Sequence, residues 1–85
     1  MRPESIQFLE RLVNTPSPSG HEVRGQRVWL DYVKPFADSV ETDTYGNALA
    51  TLNPKGSPKI MVEGHADEIA FQISYIDDDG FIWFS

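Results

Sequence analysis

No cysteine occurs among the 85 residues of this chain, so neither a disulfide nor a thiolate zinc site can staple it. The absence fits a reducing compartment. Basic side chains are scarce too: seven Lys and Arg stand against thirteen Asp and Glu, a formal net charge of −6. Neutralising phosphates needs clustered cations and none cluster here, so nucleic acid is excluded as a general partner. The acidic excess reads as a solvated surface. No apolar run approaches the roughly 20 residues of a membrane span. Glu4 and Glu10 break up the opening "MRPESIQFLE" where a secretory apolar stretch would lie. No membrane partner and a cytoplasmic location are therefore expected. A chain of this length also buries only about 60–65% of its unfolded surface, which leaves a thin margin of stability.

What is present begins with helical spacing. Ile6, Leu9, Leu12 and Val13 form one apolar stripe, and Pro3 suits a first helical turn. "NTPSPSG", residues 14–20, cannot continue that helix. "SGHE" then reads as a capping box in which Ser19 caps a second helix and Glu22 reaches back. That helix is expected over about 21–34, with Val23, Val28, Leu30 and Val33 apolar and Pro35 closing it. Gly25 inside it costs about 1 kcal/mol against alanine. Trp29, Tyr32 and Phe36 read as packing residues, and His21 as a surface residue.

From Ser39 the period changes to two. "SVETDT" and "ALATL" read as strands around a turn at "YGN", and "NPKGSP" as a further turn. "KIMV", residues 59–62, reads as a short buried strand. "AFQISYI" alternates, "DDDG" turns the chain, and "FIWF" begins another strand. Consecutive aspartates before a glycine make a turn; a calcium loop spaces its carboxylates at alternate positions. Two helices followed by strands indicate α/β or α+β. Because the last strand is strongly apolar, the chain is expected to be a fragment of a longer protein.

Between the apolar runs stand His65, Asp67 and Glu68. On a strand, His65 and Asp67 would share a face. A carboxylate beside an imidazole fixes its tautomer for metal binding. From these residues alone, a satisfied structural His–Asp pair at a strand end is the stronger account.

The longer stretch "PKIMVEGHADEIAFQISYIDDDGFIWF" resembles the M42 family of metallo-aminopeptidases, which has an apolar strand, a His-x-Asp-Glu-Ile-Gly segment, an alternating strand and an Asp-Asp-Gly-Phe turn. "PSPSGHE" resembles the family's loop before its second helix, and "DTYGNALA" its Asp-x-x-Gly-Asn segment. Three motifs in order, together with the two helices, cover almost the whole chain. Ala70 departs from the family's glycine, and Glu63 stands where small residues are commoner.

The resemblance implies an α/β fold: residues 1–69 as the N-terminal part of a two-metal catalytic domain, and 70–85 as the start of an inserted β-barrel or PDZ-like domain. It implies His65 as a metal ligand and Asp67 as the catalytic-site carboxylate that orients it. It implies two divalent metal ions, zinc or cobalt, as cofactors, peptides as substrates, and homo-oligomers. No paired carboxylates support the glucanase activity ascribed to some relatives. The rival expectation is a non-catalytic structural or interaction fragment with an incomplete metal site.

Overall fold

Pro3 stands where a helix can spare an N–H, and α1 (Pro3–Val13) begins on it. The structure, a computed structural model, describes residues 1–85. α2 (Val23–Val33) occupies the heart of the span expected for the second helix. The helices meet through Phe8 and Tyr32, whose rings stack 3.8 Å apart at 9°, and Tyr32 leans on Phe36 at 5.9 Å. Tyr32 and Phe36 therefore pack, although Phe36 stays largely exposed. The expected stripe on α1 is used only in part. Ile6, Leu9 and Val13 are exposed and Leu12 is half-buried, while Phe8 makes the ring contact with α2.

β1 (Ser39–Thr42) and β2 (Ala48–Thr51) form an antiparallel hairpin that sets Val40 opposite Ala50. β3 (Ile73–Ile76) and β4 (Ile82–Phe84) form a second hairpin, with Ile76 opposite Ile82 and an irregularity between Ile73 and Tyr75. Reciprocal 3.0 Å bonds between Gln72 and Ser85 extend it. The two pairs are separate sheets, so the fold is two helices followed by two hairpins.

Both hairpins turn by one device. Gly46 donates its N–H to the Asp43 carbonyl, and Gly80 to that of Asp77. Each glycine has φ near +90°, at +89° and +86°, a region L side chains avoid. In each turn the aspartate carboxylate accepts two backbone N–H groups, from Tyr45 and Asn47 or from Asp79 and Phe81. Thus "DDDG" is a turn, as expected, and Asp77 is the member that builds it.

One expected strand is absent. Residues 59–62 form no ladder, and Ile60 and Val62 are 84% and 91% exposed. A buried strand needs neighbours on both edges and cover on both faces, and no segment of this chain supplies them. The same lack runs through the molecule: no hydrophobic residue is fully buried. The radius of gyration is 17.2 Å, against roughly 12 Å for a compact domain of this length. We expect the 85-residue polypeptide, prepared alone, to self-associate through Ile60, Val62, Ile69 and Phe71. Sedimentation across a range of concentrations checks this, and a monomer with a sharp thermal transition would refute it.

Asp77 also accepts the Trp83 indole N–H at 3.1 Å. That bond, then the one from Phe81, holds its carboxyl below the ordinary value of 3.8, against a smaller opposing effect of burial. A depressed carboxyl pKa stabilises the fold above the unfolded value and ceases to do so as pH falls through the folded one. The Trp83 indole N–H resonance should therefore move with a midpoint below 3.8, and Asp77→Asn should abolish that transition. A midpoint at or above the ordinary value would contradict the bond.

Candidate functional site

Residues 63–68 have no regular secondary structure beyond one bridge position, so neighbouring segments must hold the site in place. Glu68 is the chief link. Its N–H donates to the Ser17 carbonyl at 2.9 Å, and its own carbonyl accepts the Ser19 N–H at 3.3 Å, a parallel bridge centred on Pro18. Its carboxylate accepts the Ser17 N–H at 3.0 Å. The Pro/Ser/Gly loop is thereby strapped to the His-Ala-Asp-Glu segment across some fifty positions of sequence.

Beneath the strap, Ser17 is one of only two buried residues, and the other is Gly25 on α2. A Cβ at position 25 would fall 2.0 Å from the Ser17 hydroxyl oxygen. Gly25 weakens the helix locally, yet its missing side chain lets the loop rest on α2. The capping box expected from "SGHE" does not form. Glu22 is itself the cap position and binds the Gly20 N–H at 2.6 Å, while the Ser19 hydroxyl donates to Asp67 Oδ2. The hydroxyl expected to accept from the helix N-terminus donates instead to a carboxylate that the fold brings to it.

His65 and Asp67 do meet, though not on a strand. His65 Nδ1 lies 2.9 Å from Asp67 Oδ1 and 3.1 Å from the Asp67 carbonyl oxygen. Facing two acceptors, Nδ1 carries the proton. Nε2 makes no hydrogen bond and lies on a side chain that is 86% exposed, whereas that of Asp67 is 38% exposed. The Ser19 hydroxyl and then His65 hold the Asp67 carboxyl below its ordinary value, burial opposing them.

The pair borders an open cleft of ≈ 180 Å³ whose far wall includes Glu22, Gln26, Tyr45 and Asn47. The wall is tied down where the Gln26 amide donates to the Gly46 carbonyl at 2.8 Å. Three stretches singled out in the sequence thus converge: the start of α2, the Asp43–Asn47 turn and the His65 segment. His21 is not among the cleft residues. No group of three or more His, Asp or Glu side chains gathers anywhere to enclose a metal ion. The donor set fits a metal to the extent of one imidazole nitrogen with a carboxylate behind it. A closed site needs three or four protein ligands. Sequence reading missed the roles of Ser19 and Glu68, because their partners lie 48 and 51 positions away.

Residues 46–85 match the model of the M42 glutamyl aminopeptidase family. A chain of Acetivibrio thermocellus, provisionally named an aminopeptidase, is 35% identical over 96% of this chain and 24% of its own length. The aminopeptidase FrvX of Escherichia coli K12, also provisionally named, is 31% identical over 95% and 22%. A provisionally named LysW-lysine/LysW-ornithine hydrolase of Thermococcus kodakarensis is 32% identical over 94% and 23%. The crystal structure of a TET aminopeptidase from a marine sediment archaeon, Thaumarchaeota archaeon SCGC AB-539-E09, superposes with a TM-score of 0.87 at 29% identity. It covers 96% of this chain and 23% of the other. This chain therefore spans about a quarter of the length of the relatives it matches, and its two helices and hairpins have the α/β fold of that part of the TET aminopeptidase.

Proposed function

This chain belongs to the M42 peptidase family, matched over residues 46–85, and on that premise we propose that it contributes one metal ligand and its supporting carboxylate to a metal-dependent aminopeptidase. His65 is the ligand, through Nε2. Asp67 is the carboxylate that fixes the ring. The observation that carries this reading is the division of the imidazole between its two nitrogens: Nδ1 is committed to Asp67 at 2.9 Å and Nε2 is left free on an exposed ring.

Two divalent ions, zinc or cobalt, when bound supply a water made acidic enough to attack at neutral pH and polarise the scissile carbonyl. The residues of this chain have narrower tasks. Asp67 accepts the Nδ1 proton and makes Nε2 a better electron-pair donor. The Glu68 strap keeps Asp67 against the loop. The cleft wall formed by Glu22, Gln26, Tyr45 and Asn47 borders the space beside the ring where a peptide N-terminus would enter. By the same reading, residues 1–69 are part of the catalytic domain and 70–85 begin an inserted β domain. Homo-oligomers and a cytoplasmic location complete the proposal. No helix is long and apolar enough to cross a membrane.

The 85 residues by themselves are proposed to be inactive, since no three-donor cluster exists in them. The test is made on a protein that carries them with the remaining three-quarters of a relative's length. Hydrolysis of amino-acid anilides should cease on removal of metal by a chelator and return with zinc or cobalt. Activity indifferent to the chelator would end the metal reading, and failure on every anilide and on free-amino peptides would end the aminopeptidase reading.

A further inference from the structure

Resting on the reading of His65 as a ligand, we propose that Ser19 is a positioning residue that aims the His65 ring by holding the Asp67 carboxylate in one orientation. The two oxygens of Asp67 are divided. Oδ1 accepts from the imidazole and Oδ2 accepts from the Ser19 hydroxyl. A carboxylate turns easily about its last torsion, which is broad and two-fold. The Glu68 strap holds the backbone beside Asp67, but the carboxylate itself has no side-chain partner besides His65 and Ser19.

Ser19 can act as a restraint because its own backbone is fixed. Its N–H is bonded to the Glu68 carbonyl, and the Glu68 N–H to Ser17, so the hydroxyl is presented from one side of a two-point clamp. Ser17, at the other end of that clamp, rests on Gly25. Helix α2, the loop, Asp67 and His65 therefore form one chain of contacts ending at the exposed ring nitrogen.

What Ser19 governs is which acceptor His65 uses. Nδ1 has a choice between the charged Oδ1 at 2.9 Å and the neutral Asp67 carbonyl at 3.1 Å. Both acceptors keep the proton on Nδ1. The carboxylate bond is the stronger, charge-assisted one and raises the basicity of Nε2 more than the carbonyl does. With the hydroxyl removed, the carboxylate is free to rotate toward water, the ring shifts toward the carbonyl, and Nε2 becomes a poorer and less sharply aimed donor.

The experiment compares Ser19→Ala and Ser19→Thr with the parent in a protein carrying this segment at the relatives' length. In metal-stripped protein, the ring ¹⁵N signals of His65, assigned by their loss in His65→Ala, should move in Ser19→Ala and return to the parent position in Ser19→Thr. Cobalt affinity, followed by visible absorption, should fall about tenfold in Ser19→Ala, the lower end of the loss seen when support behind a ligating histidine is removed, and recover in Ser19→Thr. Unchanged ring signals and affinity in Ser19→Ala would overturn the proposal, as would threonine failing to restore them. Loss of helical circular dichroism in Ser19→Ala, recovered in Ser19→Thr, would also overturn it, because the hydroxyl would then be holding the loop and not the ring. Ring signals that move in Ser19→Ala while no variant binds cobalt would leave Ser19 its role and remove the metal reading instead.

Discussion

In a protein completed to the length of its relatives, His65→Ala is expected to lose metal and nearly all peptidase activity while the fold stays intact. The two halves of that expectation have separate causes. His65 is 86% exposed and its only side-chain partner is Asp67, so removing the ring opens no cavity and leaves no buried donor behind. Unfolding temperature and helical circular dichroism should be unchanged. For metal the ring has no substitute: His21 does not border the cleft, and no other cluster of donors exists in these 85 residues. Loss of a ligand should exceed the roughly 10–100-fold that loss of a supporting group costs. Metal per chain and the rate on an amino-acid anilide check it together. Full metal content with a normal rate would show that His65 is not a ligand.

Asp67→Asn should lower metal affinity or rate by about 10–100-fold. The substitution is informative because the local geometry can accommodate it. An asparagine that turns its oxygen to His65 presents its amide group to Ser19, whose hydroxyl can reverse and accept. Shape and hydrogen-bond count survive, and the negative charge behind the imidazole is lost. A fall in metal affinity then measures the charge, whereas Asp67→Ala would mix charge with disorder. If Asp67→Asn keeps full metal and full rate, the His65–Asp67 pair serves folding, and the site must draw its ligand basicity from elsewhere.

The two helices, both hairpins and the turns between their strands were legible in the sequence because each is specified by neighbours. Pro3 starts α1, and Asp43 with Gly46, like Asp77 with Gly80, closes a turn within four residues. The pairing of His65 with Asp67 was legible for the same reason, being a contact two positions apart. The route to it was misread, since the pair meets on irregular backbone and not on a strand.

Misreadings arose where a local preference met a distant partner. Ser19 and Glu22 have the spacing of a capping box, yet Asp67, 48 positions away, takes the Ser19 hydroxyl. Gly25 looks like a defect in a helix until Ser17 is seen lying across it. "KIMV" has the composition of a central strand, but a ladder requires neighbours that no segment here provides, so those residues stay exposed.

By itself, then, the sequence determined the short-range architecture and the identity of the His-x-Asp pair, because hydrogen bonds within a few residues and apolar periodicity depend only on local order. Tertiary structure alone decided that Glu68 straps the loop to the site, that Ser19 serves Asp67 and not α2, and that the start of α2, the Asp43–Asn47 turn and His65 share one cleft. Those contacts join positions about 20 to 50 residues apart. They form only when the backbone has already brought the partners together, and nothing in the spacing of either partner announces the other.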